Sequence, residues 1–278
     1  PLNGLDGVFD VDLSPDNGHL YSAGIFDDSV AAFSRDTVTG ELTFIEAEFD
    51  GIDGVDGLNS ARAVIVGPDG DHVYVAGLTD DAVALFNRDP TTGELSFIEA
   101  TFDDVGGVEG LDTPSHLSLA PDGRHLFVGT QPDFTGDDWL VVFARDEISG
   151  ELTFVESHTN PGLAAFPGCQ GSPSDPNASA APSPLGDLVY ITNSPVSALG
   201  VFARDPMTGT LELFEGHCHG VDGVIGMETP SAVAVSPDDR NVYVVTLFGN
   251  SLAVFRRIGL FTDGFESGDL TAWSTSVP

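Results

Sequence analysis

Asp recurs at every third position, with Gly between, in Asp50-Gly-Ile-Asp53-Gly-Val-Asp56-Gly57-Leu58. A related stretch is Asp103-Asp104-Val-Gly-Gly-Val-Glu109-Gly110-Leu111, and His219-Gly-Val-Asp222-Gly-Val-Ile-Gly226-Met227 is a degenerate copy. Asn3-Gly-Leu-Asp6-Gly7 is a truncated one, and paired acids stand at Asp27-Asp28, Asp80-Asp81 and Asp137-Asp138. Hard cations such as Ca²⁺ collect carboxylate and carbonyl oxygens in loops where Gly permits a tight backbone. The spacing is not that of an EF-hand, which ends in a Glu. Asp and Gly are also the residues that turns select. Any single loop therefore reads as turn chemistry first. The set Asp27, Asp28, Asp50, Asp53, Asp56, Asp80, Asp81, Asp103 and Asp104 is the candidate site, with Ca²⁺ the candidate cofactor.

Three further residues, Asp10, Arg62 and His116, supply an acid, a cation and a base, a set able to serve hydrolysis. No GxSxG nucleophile motif accompanies them, and polar residues around a channel mouth are commonplace. His19, His72 and His125 recur after equivalent turns, so they are read as structural. Cys169 and Cys218 are the two cysteines. A disulfide between them, pinning the irregular insertion 163–179, suits an oxidising compartment. His217-Cys218-His219 as a metal site ranks below that, because adjacent strand residues point to opposite sides and no CxxC partner exists. Asn177-Ala-Ser179 matches a glycosylation sequon.

These residues ride on a repeat. A Pro in a turn recurs at Pro15, Pro68, Pro121, Pro184 and Pro237, at intervals of 53, 53, 63 and 53 residues. Phe33-Ser-Arg35-Asp36, Phe86-Asn-Arg88-Asp89, Phe143-Ala-Arg145-Asp146, Phe202-Ala-Arg204-Asp205 and Phe255-Arg-Arg257 track it. Within the second repeat, Arg62–Val66, His72–Ala76, Ala82–Phe86 and Glu94–Ile98 are short β-type runs bounded by Gly67-Pro-Asp-Gly70, Gly77–Asp81 and Arg88–Gly93. No segment carries a capped helical period. A meander of four strands cannot bury both faces alone, and radial stacking solves that. The expectation is an all-β, five-bladed β-propeller of four-stranded antiparallel blades over 1–258. Its repeats lie near 8–60, 61–113, 114–176, 177–229 and 230–258.

In the first blade the strands are expected near Val8–Leu13, His19–Ala23, Val30–Phe33 and Leu42–Ile45. The repeated Phe is read as blade-to-blade core. Strand alternation puts the Asp-Gly loops and the Asp pairs on one face, and Asp10, Arg62 and His116 near one end of the channel. The fifth blade loses its fourth strand after Phe255. The tail 259–278, through Leu260, Phe261, Phe265, Leu270 and Trp273, is expected to complete it in cis or to pair with a neighbouring chain.

The formal net charge is −35, from 44 acidic residues against nine Arg and no Lys. That excludes a basic nucleic-acid footprint and disfavours anionic membrane surfaces. It favours cations and keeps a salt-exposed protein dispersed. No run of 18 apolar residues exists, so no membrane span is expected. No leader is visible before Pro1, and one is expected to have been removed or to lie outside this sequence.

The pattern S-P-D-G-x-H-V-Y-V-A-G…F-x-R-D-x-x-T-G-x-L-x-F, followed by D-G-V-x-G, resembles the bacterial lactonase-like, YVTN-type β-propeller family, over roughly Gly4 to Phe255. That resemblance implies the propeller fold. It raises lactone hydrolysis as an activity, although the branch that gives the family its name has seven blades. Phe261-Thr-Asp-Gly-Phe-Glu-Ser-Gly-Asp-Leu-Thr-Ala-Trp273 resembles a segment of secreted bacterial proteins, which implies export. The resulting expectation is a secreted, acidic, non-enzymatic binding or structural module for a small-molecule or glycan ligand, with self-association through the tail. A lactonase-like hydrolase at the channel mouth is the alternative.

Overall fold

The computed structural model describes residues 4–131, 138–159, 178–194, 197–247 and 249–257, and every regular element among them is a strand. The tail residues Leu260, Phe261, Phe265, Leu270 and Trp273, together with Cys169 and Asn177, lie outside the described residues.

Five antiparallel sheets follow one another along the chain, each a meander with its strands in sequence order. The first contains β1 Val8–Leu13, β2 His19–Gly24, β3 Ser29–Arg35 and β4 Leu42–Phe49. The second contains β5 Ala61–Val66, β6 His72–Gly77, β7 Ala82–Arg88 and β8 Leu95–Phe102. The third contains β9 Pro114–Leu119, β10 His125–Thr130, β11 Asp138–Arg145 and β12 Leu152–Thr159. The fourth contains β13 Ala180–Pro182, β14 Leu188–Asn193, β15 Ala198–Arg204 and β16 Leu211–Cys218. The fifth has three strands among the described residues: β17 Pro230–Val235, β18 Asn241–Thr246 and β19 Leu252–Arg256. These are propeller blades, as the repeat predicts. No helix of the described residues is long and apolar enough to cross a membrane.

The chain divides into two compact units. One holds 1–159 with the turn 207–210, and the other holds 160–206 with 211–278. In the first unit, Tyr21 and Val30 of the first sheet meet Val64, Val73, Val75 and Phe86 of the second. Tyr74 and Leu85 of the second sheet meet Leu117, Leu126, Val128 and Phe143 of the third. In the second unit, Tyr190 and Val201 meet Val233, Val242, Val244 and Phe255. Middle strands such as His72–Gly77 are therefore buried on both faces and lose the alternation of a half-exposed strand.

The outer strands run further than expected. β4 extends to Phe49, not Ile45, and its equivalents are as long. The reason is a β-bulge. Ala32 pairs with Glu46 but Phe33 pairs with Phe44, which leaves Ile45 as the extra residue, and Ile98, Val155 and Phe214 take the same place. A bulge flips the alternation midway and hides the second half of the strand from a period-two reading. The recurrent Phe is core as expected. Phe33, Phe86 and Phe143 sit edge-on to Phe44, Phe97 and Phe154 across the last strand pair.

Candidate functional site

Three innermost strands of the first unit, β1, β5 and β9, lie side by side. Each carries a bulge near its start. The extra residues are Phe9, Arg62 and Ser115. Bulges re-aim a side chain out of the pleat. The Arg62 guanidinium lies over the Phe9 ring, 4.3 Å from its centre. Asp10 is fixed by two backbone donors, Val11 N–H to Oδ1 at 2.9 Å and Val64 N–H to Oδ2 at 3.0 Å. Asp12 repeats the cross-blade bond to Val66 N–H at 2.8 Å.

His116 completes the group. It is half-buried, and burial pushes its pKa below the ordinary histidine value. Arg62 acts in the same direction and Asp10 opposes it. The imidazole is therefore neutral near neutral pH and feels both other groups. His116 thus lies close enough to Asp10 and Arg62 to feel the charge of each. A neutral imidazole takes protons, a guanidinium receives developing negative charge, and a carboxylate anchored to two N–H groups holds the local field.

The acidic loops divide differently. Asp50, Asp56 and Asp80 each place a carboxylate oxygen within 4.8 Å of the other two. Burial raises the Asp50 pKa, and repulsion from Asp80, Asp56 and Asp28 adds to it against a hydrogen bond from Leu58 N–H. The other candidates stand outside that group and serve as loop acceptors or turn residues. Asp27 receives Gly4 and Asp6 N–H, Asp28 receives Ser60 N–H, Asp81 receives Thr113 N–H and Asp103 receives Leu111 N–H. Asp53 and Asp104 have φ of 53° and 56°, the left-handed region that Asp tolerates in turns. In the degenerate loop, Ser197 Oγ and His219 Nδ1 accept Thr229 and Met227 N–H where Asp28 and Asp50 act in the first copy. Those two positions need an acceptor, not a charge.

Sequence reasoning missed one polar device altogether. Arg88, at the end of β7, is buried against the first sheet. Its Nε donates to Tyr21 Oη at 2.8 Å, and its Nη2 donates to Asp16 at 2.8 Å and to His19 Nδ1 at 2.7 Å. Its Nη1 bonds Gly70 O of its own sheet, and Tyr21 Oη donates to Gly93 O at 2.9 Å. Arg145 repeats the set with Tyr74, Asp69, His72, Gly123 and Gly150. The P-D-G-x-H-x-Y turn of one blade and the R-D-x-x-T-G turn of the next are two halves of one latch. A side chain on Gly93 or Gly150 would collide with the His19 or His72 ring, and both glycines have φ near 80°. The signal was in the sequence: Asp, His, Tyr, Arg and Gly recur at one period.

A family model described as "Lactonase, 7-bladed beta-propeller" matches residues 3–108. The chain resembles the lactonase propellers. That stretch contains Asp10 and Arg62 and stops short of His116. Among solved structures, a Lactobacillus plantarum protein is 19% identical with a TM-score of 0.70, covering 98% of this chain and 72% of its own. The Pseudomonas aeruginosa periplasmic gluconolactonase is 24% identical with a TM-score of 0.68, covering 91% of this chain and 67% of its own. A putative 6-phosphogluconolactonase from Bacteroides uniformis is 16% identical with a TM-score of 0.59, covering 96% and 85%. No curated protein matches. At these identities the solved structures speak for the fold.

Proposed function

We propose that this protein hydrolyses a lactone at the site formed by Asp10, Arg62 and His116. The observation that carries the reading is a half-buried, neutral His116 coupled to Arg62 and Asp10 on adjoining inner strands. The lactonase family match and the gluconolactonase-like fold support it over a purely binding or structural module. In the step, His116 takes a proton from water as its oxygen bonds to the lactone carbonyl carbon. The carbonyl oxygen becomes an oxyanion beside Arg62. The ring C–O bond then breaks, and its oxygen recovers the proton from His116. The new carboxylic acid then loses its proton to solvent, and Arg62 faces the carboxylate. Asp10 steadies the imidazolium formed midway.

Charge selects among lactones. With 44 acidic residues against nine Arg, the protein repels anions, so a neutral sugar lactone is favoured over a phosphorylated one. Hydrolysis followed by base uptake at constant pH tests this. Arg62→Gln and His116→Gln should each lower kcat/KM about 100-fold, with unfolding temperatures close to the parent. A rate equal to spontaneous opening across neutral and phosphorylated sugar lactones removes the reading.

The cluster of Asp50, Asp56 and Asp80 favours a second reading, a Ca²⁺ site in the loop entering β5. Three mutually repelling carboxylates supply part of a calcium shell, and a cation relieves the repulsion that adds to burial in raising the Asp50 pKa. Saturating Ca²⁺ should stabilise the protein by about 2.7 kcal/mol at a hundredfold excess over Kd, and Asp80→Asn should abolish the gain. Superimposable melting curves in Ca²⁺ and EDTA would contradict it.

A further inference from the structure

The latch joins successive sheets, and among the described residues one arginine half and one acidic half have no counterpart. The first sheet carries the arginine half. Arg35 occupies the place of Arg88, and its Nη1 already donates to Asn17 O at 3.3 Å, as Arg88 donates to Gly70 O. Its Nε and Nη2 find no Tyr, Asp or His among the described residues. The seat above Gly93 holds the His19 ring, whereas a side chain on Gly40 would meet only Arg35 itself, at 3.9 Å. On the same side, Val11 and Leu13 occupy the places of Val64 and Val66. Those two valines are buried against the preceding sheet, but Val11 is 52% exposed and Leu13 41%.

The fifth sheet carries the other half. Asp238 Oδ1 receives Ser236 Oγ–H and Arg240 N–H, as Asp16 Oδ1 receives Ser14 Oγ–H and Gly18 N–H. Tyr243 stands where Tyr21, Tyr74 and Tyr190 stand. Those three are wholly buried, and Tyr243 is 36% exposed. Leu252, in the place of the buried Val30, is 57% exposed, and Val245 beside it is exposed too.

We propose that these two surfaces bind each other between copies of this chain, head to tail, with Arg35 of one copy closing onto Asp238 and Tyr243 of the next. The complementarity is that of the blade-to-blade contact the chain already makes twice within its first unit. Val11 and Leu13 fill the apolar part against Tyr243, Val245 and Leu252. The contact is heterologous, so it extends until a ring closes or a filament grows. The charge of −35 opposes it at long range, so salt promotes it.

Sedimentation velocity of the full chain over a wide concentration range in high salt tests this. The expected result is a mass rising with concentration above the single chain's 29.0 kDa. Val11→Asp and Tyr243→Asp each block one surface, so each alone stays a single chain. Mixed, they form a two-chain species and nothing larger, because one intact pair of surfaces remains. Trp273→Ser leaves assembly unchanged. A single chain at every concentration overturns the proposal. So does a mixture that fails to pair, or assembly that Trp273→Ser abolishes. Single-chain behaviour with lower melting temperatures in both surface variants overturns it in favour of closure within one molecule.

Discussion

Arg145 is a charged side chain whose guanidinium is almost wholly removed from solvent, and it stays charged because every direction it points meets an acceptor. Burial works against the Asp69 carboxylate, yet the hydrogen bonds from Arg145 and from Asp71 N–H hold its pKa below the ordinary value. Burial lowers the His72 pKa, and Arg145 lowers it further, so the neutral ring accepts a hydrogen bond from the guanidinium. The signs follow. The depressed His72 stabilises the fold above its ordinary pKa of 6.5, and that contribution is lost as pH falls below it. The depressed Asp69 stabilises above 3.8, and that contribution is lost as pH falls through its lowered value. Arg145→Met should cost about 3 kcal/mol, because it strands a partly buried carboxylate. It should also flatten the acid limb below pH 3.8 in a melting-temperature series. Arg145→Lys should recover only part, since an ammonium lacks the fork that serves Tyr74 and Asp69 together. A fully stable Arg145→Met would show that the latch is incidental.

At the scale of the element, what could be read in advance was whatever shows period two or a turn signature. β1 was placed at Val8–Leu13 and found there, and the first three strands of the second repeat were found within a residue or two of expectation. Three features escaped for physical reasons. The bulges at Ile45, Ile98, Val155 and Phe214 break alternation, so the outer strands looked four residues shorter than they are. β13 is only Ala180–Pro182 among the described residues, with Pro182 tolerated at the sheet edge, and so short a run carries no period-two signal. The latch escaped because its halves lie about 70 residues apart and meet only when blades stack. Cys218 is the last residue of β16. It is buried and is not a free thiol. A bond to Cys169 would pin the insertion to this strand. A non-reduced digest should yield the linked peptides by mass spectrometry, and two alkylatable thiols in protein from an oxidising compartment would contradict the pairing.

Over the whole molecule, composition and chemistry point in different directions. A charge of −35 reads as solubility and cation affinity, and it set the expectation of a binding module. Much of that acidity instead builds the loops, where carboxylates accept backbone N–H groups that would otherwise go unpaired. Asp10, Arg62 and His116 were legible as residue types on repeat-equivalent strands. The neutrality of His116 was not, because it depends on burial. The measurement that bears most directly on the account is the pH dependence of kcat/KM for a neutral sugar lactone, with wild type beside His116→Gln. A neutral imidazole acting as base predicts a rate that climbs with pH to a plateau, with its midpoint below the ordinary histidine value of 6.5 because burial depresses the His116 pKa, and that falls about 100-fold with loss of the inflection in His116→Gln. A profile that is the same in both proteins, or hydrolysis no faster than in buffer, would contradict it.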